Sequence, residues 1–162
     1  MDTIKLNIGA ALIVRNEENN LPKALNSVKN ICRQVVVVDT GSSDKTSSIA
    51  ARMGADIHFF KWADDFSAAR NYSLNMLRTE WALVIDADEI LNVDSFNKNI
   101  HLFNKSNCGG IRIILKNHLQ DGSLVKEHKY PRIFRVKKGI RFVGKIHEQI
   151  NDSILKSGEE SV

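Results

Sequence analysis

Gln34–Asp39 reads QVVVVD, four valines in a row closed by an acid. A run that is β-branched and apolar at every position does not suit a half-exposed strand, in which polar and apolar residues alternate. It suits a strand covered on both faces, and helices must do the covering. LNIGAALIV (Leu6–Val14) and WALVID (Trp81–Asp86) are runs of the same kind, and DIHFF (Asp56–Phe60) is a shorter one. Helix signals lie between them. NNLPKALNSVKN offers Asn19 or Asn20 as N-cap, Pro22 in the first turn, and Leu21, Leu25 and Val28 at helical spacing. TGSSDKTSSIAARMG predicts a turn, then a helix capped near Ser43 or Asp44 and stopped by Gly54. DFSAARNYSLNMLR predicts a helix that begins near Phe66 or Ser67. This alternation predicts an α/β fold with a mostly parallel sheet and right-handed crossovers.

After residue 90 the pattern changes. A helix is predicted around Val93–Phe103, followed by a strand in GIRIILKNH and a hairpin turn at QDGS. YPRIFRV and IRFVGKIHEQI predict further β segments. A length of 162 residues, 43% of them hydrophobic, is enough for one domain with a real core. The expected domain is 1–155, with a nucleotide-binding half to residue 90 and a mixed β half over 91–155. The tail 156–162, KSGEESV, has no periodicity and is expected to be disordered. Cys32 and Cys108 lie beside apolar residues without metal-ligand spacing, which predicts reduced, partly buried thiols. The N-terminal apolar run is too short to span a bilayer, so a cytoplasmic protein is expected, with the inner face of the membrane as a second position.

The net charge is +4, and Lys126, Lys129, Arg132, Arg135, Lys137, Lys138, Arg141 and Lys145 crowd one segment with Glu127 as its only acid. Such a face suits phosphates or anionic headgroups, or serves as a charged sheet edge that resists aggregation. It lacks the interleaved stacking aromatics of a nucleic-acid surface, and no nucleic-acid partner is expected.

Ligands of open parallel sheets bind beyond the carboxyl ends of the strands. Those ends carry Arg15, Asn16 and Glu17, then Asp39, then Asp86, Asp88 and Glu89. Asp86 and Asp88 flank Ala87, so both carboxylates can point the same way. Hard oxygens gathered like this suit Mn²⁺ or Mg²⁺, which also bind a substrate's phosphates. The plainer alternative is that Asp88 caps the turn after it.

Four segments together, ALIVRNEENNLPKALNSV, VVVVDTGSSDKTSSIA, DFSAARNYSLNMLRTEWALVIDADEIL and GKIHEQI, resemble family 2 glycosyltransferases with the GT-A fold. Within that family they are most similar to the bacterial subgroup of lipopolysaccharide-core glucosyltransferases and SunS-type peptide S-glycosyltransferases. The resemblance covers about residues 5 to 150. It implies a nucleotide-sugar donor (a UDP-sugar), a divalent cation and inversion at the anomeric carbon. Carried over position by position, it assigns the donor to Val14, Asn16, Glu17, Asp39, Arg70, Asp86 and Arg132. Asp86 and Asp88 match the DxD motif, and the metal falls to Asp88, helped by Asp86 and His147. Asp88 and Glu148 are the catalytic candidates, Glu148 as base, with Glu127 in reserve because the acidic pair many members carry after Ile90 is absent.

Structural alternatives stand beside several of these: Asp39 as a cap for the Gly41 turn, Asp44 as an N-cap, Glu89 as the start of the next turn. Only one of Arg132 and Arg135 is expected to face the cleft, since they alternate across a strand. The acceptor implied is a glycan, lipopolysaccharide core, lipid-linked sugar or peptide, with peripheral membrane contact in prospect. Two other classes compete. A sugar-1-phosphate nucleotidyltransferase needs a glycine-rich loop where this chain has VRNEENN. A truncated or inactive domain that binds nucleotide sugar without turnover fits a chain short for the family.

Overall fold

The computed structural model describes residues 6–105, 108–118, 124–136, 139–158 and 160–162. Strands β1 (Ile8–Val14), β2 (Gln34–Asp39), β3 (Asp56–Phe59) and β4 (Trp81–Val84) run parallel. β6 (Leu124–Arg135) is antiparallel both to β4 and to β5 (Cys108–His118), and β7 (Glu160–Ser161) is parallel to β5. Among the described residues these form one sheet in the order β3-β2-β1-β4-β6-β5-β7. The order reverses between β1 and β4, where an open sheet leaves a crevice. The α/β class and its mostly parallel sheet are as the alternation predicts.

Both faces of the sheet are covered. Ile8, Ala10, Leu12 and Val14 pack with Leu21, Ala24, Leu25 and Val28 of α1 (Leu21–Val28), Ala50 of α2 (Thr46–Arg52) and Phe96 of α4 (Val93–Lys98). Ala11, Val36, Val38, Ala82 and Val84 face the other way, onto Leu74 of α3 (Phe66–Met76) and Ile154 of α5 (Asn151–Lys156). Val36, Val37 and Val38 are fully buried, each worth about 1.5–3 kcal/mol relative to exposure. Gly9 is required by close approach: a Cβ there would lie 2.7 Å from both Leu77 Cδ2 and Thr79 Oγ1.

The later half departs from expectation in three places. The helix expected over Val93–Phe103 breaks at Asn99 into α4 and a 3₁₀ turn, Ile100–Asn104. Asn97 and Asn99, poor in helix interiors, sit at the break. IRFVGKIHEQI is no strand. Val143 and Gln149 pair as an isolated bridge around a loop in which Gly144 (φ 104°) and His147 (φ 55°) are left-handed, a conformation that ends extended chain. Of the tail 156–162, expected to be disordered, Lys156 ends α5 and Glu160–Ser161 forms β7. Val162 donates to Gly110 O at 2.9 Å and accepts from Arg112 N at 2.6 Å, pairing main-chain groups of β5 that would otherwise form an open edge. The QDGS turn lies outside the described residues. None of the described helices is long and apolar enough to cross a membrane.

Candidate active site

Beyond the carboxyl ends of β1 and β4 lies an open cleft of about 610 Å³. The turn after β1 and the turn after β2 build its first side by fastening to each other. Asn16, left-handed at φ 56°, donates its N–H to Ser42 Oγ at 2.9 Å and accepts from Ser43 N at 2.8 Å. Glu17 N donates to buried Thr46 Oγ1 at 2.7 Å, and Glu18 N to Asp44 Oδ2 at 3.2 Å. Asp44 Oδ1 also accepts from Thr46 N at 2.9 Å, one residue ahead of the N-cap position, which is Lys45. Asp39 is 2% exposed and accepts from Gly41 N at 2.9 Å, Ser42 N at 2.7 Å and Ser47 Oγ. Burial works to raise its carboxyl, but the hydrogen bonds from Ser47, Ser42 and Gly41 prevail and hold it below its ordinary value.

The second side is ionic. Arg70, on α3 and 7% exposed, donates from Nη2 to Asp86 Oδ1 at 2.8 Å and from Nε to Glu148 Oε1 at 2.5 Å. Arg132, on β6, donates to Asp86 Oδ2 at 3.2 Å and Glu89 Oε1 at 2.8 Å. Two guanidiniums thus hold three carboxylates from two parts of the chain, Asp86 with Glu89 and Glu148. Asp86 answers the repulsion latent in its acid-rich stretch: burial opposes its charge, yet Arg70 and Arg132 hold its carboxyl below the ordinary range. Glu89 goes the other way, raised by burial more than Arg132 lowers it. Arg70 is raised because Asp86 and Glu148 outweigh the burial that would lower it.

The residues assigned from sequence separate accordingly. Val14, Glu17, Arg70, Asp86, Asp88, His147 and Glu148 all line the cleft, together with Arg15 and Thr40. Asn16, Asp39 and Arg132 are not among its lining residues: Asn16 Oδ1 accepts from Ser43 N, Asp39 Oδ1 from the Gly41 turn, and Arg132 Nη2 donates to Asp86 and Glu89. The alternation of Arg132 and Arg135 places Arg135 elsewhere, over the Trp81 ring at 4.4 Å and paired with Glu80. The side chain of Glu127 lies outside what the structure describes. Trp62, Phe66 and Ile146 line the cleft without having been singled out. Trp62 and Phe66 meet edge to face at 4.8 Å, and Trp62 Nε1 donates to Asp64 Oδ1 at 2.9 Å. Their only signal in sequence is a pair of aromatics, four apart, outside any core periodicity.

Among the described residues no three His, Cys, Asp or Glu side chains converge on one point as a ready cation site. Each oxygen of Asp86 accepts from an arginine, Oδ1 from Arg70 and Oδ2 from Arg132, so its charge is shared with two guanidiniums. Asp88 is exposed, makes no ion pair among the described residues and shares the cleft with exposed His147. One carboxylate and one imidazole fit Mn²⁺ or Mg²⁺ in a site that waters and substrate phosphates complete. A second observation concerns Arg70 itself: its Nη1 is buried with no hydrogen-bond partner.

A family model described as "Glycosyl transferase family 2" matches residues 10–153. A TPR repeat-containing protein of Synechococcus elongatus is 36% identical over 148 residues, covering 91% of this chain and 36% of that protein. The SPbeta prophage-derived glycosyltransferase SunS of Bacillus subtilis is 30% identical over 146 residues, covering 88% of this chain and 34% of that protein. The chain therefore spans about a third of the length of these curated relatives. In three dimensions it is similar to S. aureus TarS 1–349 in complex with UDP-GlcNAc, with a TM-score of 0.72 and 16% identity over 91% of this chain and 52% of that one.

Proposed function

The chain belongs to glycosyltransferase family 2, and from that premise we propose that it transfers a sugar from a UDP-sugar, with inversion, onto a glycan, lipid-linked, lipopolysaccharide-core or peptide acceptor. One observation carries the reading. Arg70 lines the open cleft, and its buried Nη1 has no hydrogen-bond partner among the described residues, which leaves one donor of this guanidinium unused by the protein. A diphosphate oxygen supplies an acceptor for it in the charge-assisted form that guanidinium geometry favours. The UDP-GlcNAc held by TarS on the same fold supports a uridine donor.

The chemistry then distributes over the cleft. Arg70 Nη1 orients the diphosphate while its other nitrogens stay on Asp86 and Glu148. Asp88 and His147 would hold a divalent cation, which when bound supplies Lewis-acid neutralisation of the leaving diphosphate. The bond from the sugar's anomeric carbon to the diphosphate oxygen breaks as the acceptor oxygen or sulfur bonds to the opposite face. Glu148 takes the acceptor's proton, on Oε2 since Oε1 accepts from Arg70. Trp62, Phe66 and Ile146 give the cleft an apolar part of its wall.

Thermal-shift measurements with UDP, GDP, CMP and dTDP sugars, with and without Mn²⁺, test the proposal. Stabilisation should be selective for the uridine nucleotides, should require the metal and should vanish in Asp88→Ala. Equal stabilisation without metal contradicts it. A second reading is a domain that binds nucleotide sugar without turnover. UDP release from a UDP-sugar in the presence of Mn²⁺ separates the two.

A further inference from the structure

The loop that carries His147 and Glu148 has little of its own to hold it. Val143 is 69% exposed and Ile146 70%, so core burial does not anchor it. Its ends close on each other through the Val143 and Gln149 amides, both at 2.9 Å, and two left-handed residues lie between. That makes a small closed ring whose position must be set from outside.

One flank of α3 does this. Phe66 N donates to Lys145 O at 3.0 Å, Ser67 Oγ to Gly144 O at 2.6 Å, and Arg70 Nε to Glu148 Oε1 at 2.5 Å. Asn71 completes the set with two bonds to one residue: Nδ2 donates to Phe142 O at 3.0 Å and Oδ1 accepts from Phe142 N at 2.8 Å. Residues 66 and 70, and likewise 67 and 71, are four apart and therefore neighbours on the helix surface. The Asn71 carboxamide pairs with Phe142 as another strand would, immediately before the ring begins. The Phe142 side chain is held as well, against Phe134 at 6.0 Å and under the Arg70 guanidinium at 5.7 Å. The Phe66 contact is main chain and Arg70 belongs to the cleft, whereas Asn71 and Ser67 do not line it. They are the separable anchors.

We propose that Asn71 is a positioning residue for transfer: it sets the place of the 143–149 loop and so aims the Glu148 carboxylate at the acceptor. This rests on the reading of Glu148 as base. A shift of about 1 Å in a reacting group can lower turnover on the order of a hundredfold with no change in substrate contacts.

The test is a double-mutant cycle on UDP release from UDP-GlcNAc with Mn²⁺, alongside the dissociation constant for UDP. Asn71→Ala should lower kcat about tenfold or more and leave UDP affinity within about twofold. In a Glu148→Gln background the same change should cost less than about twofold, since a base already removed cannot be misaimed. Ser67→Ala should act in the same direction but more weakly, and it serves if Asn71→Ala does not fold. Full additivity of Asn71→Ala with Glu148→Gln overturns the positioning role while leaving the base reading intact. Undiminished turnover in Glu148→Gln alone overturns both. Amide exchange supplies a readout independent of turnover: Phe142, Val143 and Gln149 should exchange faster in Asn71→Ala while α3 keeps its protection. Unchanged exchange there overturns the proposal.

Discussion

On one side of the cleft the turns after β1 and β2 lock together mostly through main-chain amides donated to side-chain oxygens: Asn16 to Ser42, Ser43 to Asn16, Glu17 to Thr46, Gly41 and Ser42 to Asp39. On the other side, Arg70 and Arg132 draw Asp86, Glu89 and Glu148 together across as many as 78 residues of sequence. The first side is a local folding device that leaves few polar atoms free. The second holds a donor and an exposed carboxylate that have no partner among the described residues, Arg70 Nη1 and Asp88, and charges that a ligand can rearrange. Polar groups held in place but not consumed suit a ligand, and Arg70 Nη1 and Asp88 on the ionic side are of that kind among the described residues, while Arg15, Glu17 and Thr40 bring the first side to the same cleft.

The largest expected effect breaks the ionic side at its centre. Arg70→Met leaves Asp86 and Glu148 partly buried without the cation they share, and loss of one partner from a buried pair costs about 3–5 kcal/mol. Urea unfolding should show a matching fall in stability. A loss under about 1 kcal/mol would mean that the carboxylates relax into solvent and that the network is not what holds this side together.

On the neutral side, Thr46→Val is the corresponding change. Thr46 is fully buried, accepts from Glu17 N and donates to Asp44. Valine keeps the shape and strands the Glu17 amide, a loss of about 1–3 kcal/mol. Thermal unfolding should place Thr46→Val between Arg70→Met and the wild type. Its UDP-dependent stabilisation should persist, because the cleft's charges are untouched.

The contrast between the sides also explains what could be read in advance. The strands were legible because a doubly covered strand writes its burial into every position, as Val35–Val38 and Ala82–Ile85 do. The strand ends then located the acids. What sequence could not convey was which acid stays free, since the partners of Asp86 stand 16 and 46 residues away and only the fold brings them in. For the same reason the pairing of Arg132 with Glu89 and Asp86 could not be read from its place in the basic segment. The 140–150 segment misled because Ile140, Phe142 and Ile150 are buried in alternation-like positions, while the left-handed residues between them carry no apolar signal. The β7 pairing was invisible because it is made by main-chain atoms, whatever the side chains.

A smaller effect separates the sides by pH. Asp39 on the neutral side and Asp86 on the ionic side are both held below 3.8, so the stability each adds is complete above that value and is lost as pH falls through the lower native value. Glu89 has the opposite sign. Its native carboxyl is raised above 4.5, so the folded protein takes up that proton first, and mild acidification toward 4.5 removes a cost. Urea midpoints measured from neutral to acid pH should therefore rise slightly before they fall. Glu89→Gln should abolish the rise and keep the fall, and Asp39→Asn should keep the rise and flatten the fall. A Glu89→Gln profile identical to wild type would show that Arg132, not burial, governs that carboxyl.

The smallest expected effect on stability is also the sharpest discrimination, because it compares two aspartates two residues apart. Asp88→Ala removes an exposed side chain with no ion pair among the described residues, and such changes stay within about 0.5 kcal/mol. Asp86→Ala strips both Arg70 and Arg132 of a carboxylate and should destabilise clearly more. The ligand response should invert that ranking in one respect: Asp88→Ala, nearly as stable as wild type, should lose the Mn²⁺-dependent stabilisation by UDP completely. If Asp88→Ala instead unfolds as readily as Asp86→Ala, Asp88 is a structural acid like its neighbour. The division between an anchoring carboxylate and one kept free for a ligand would then fail at the place where it is most exposed to test.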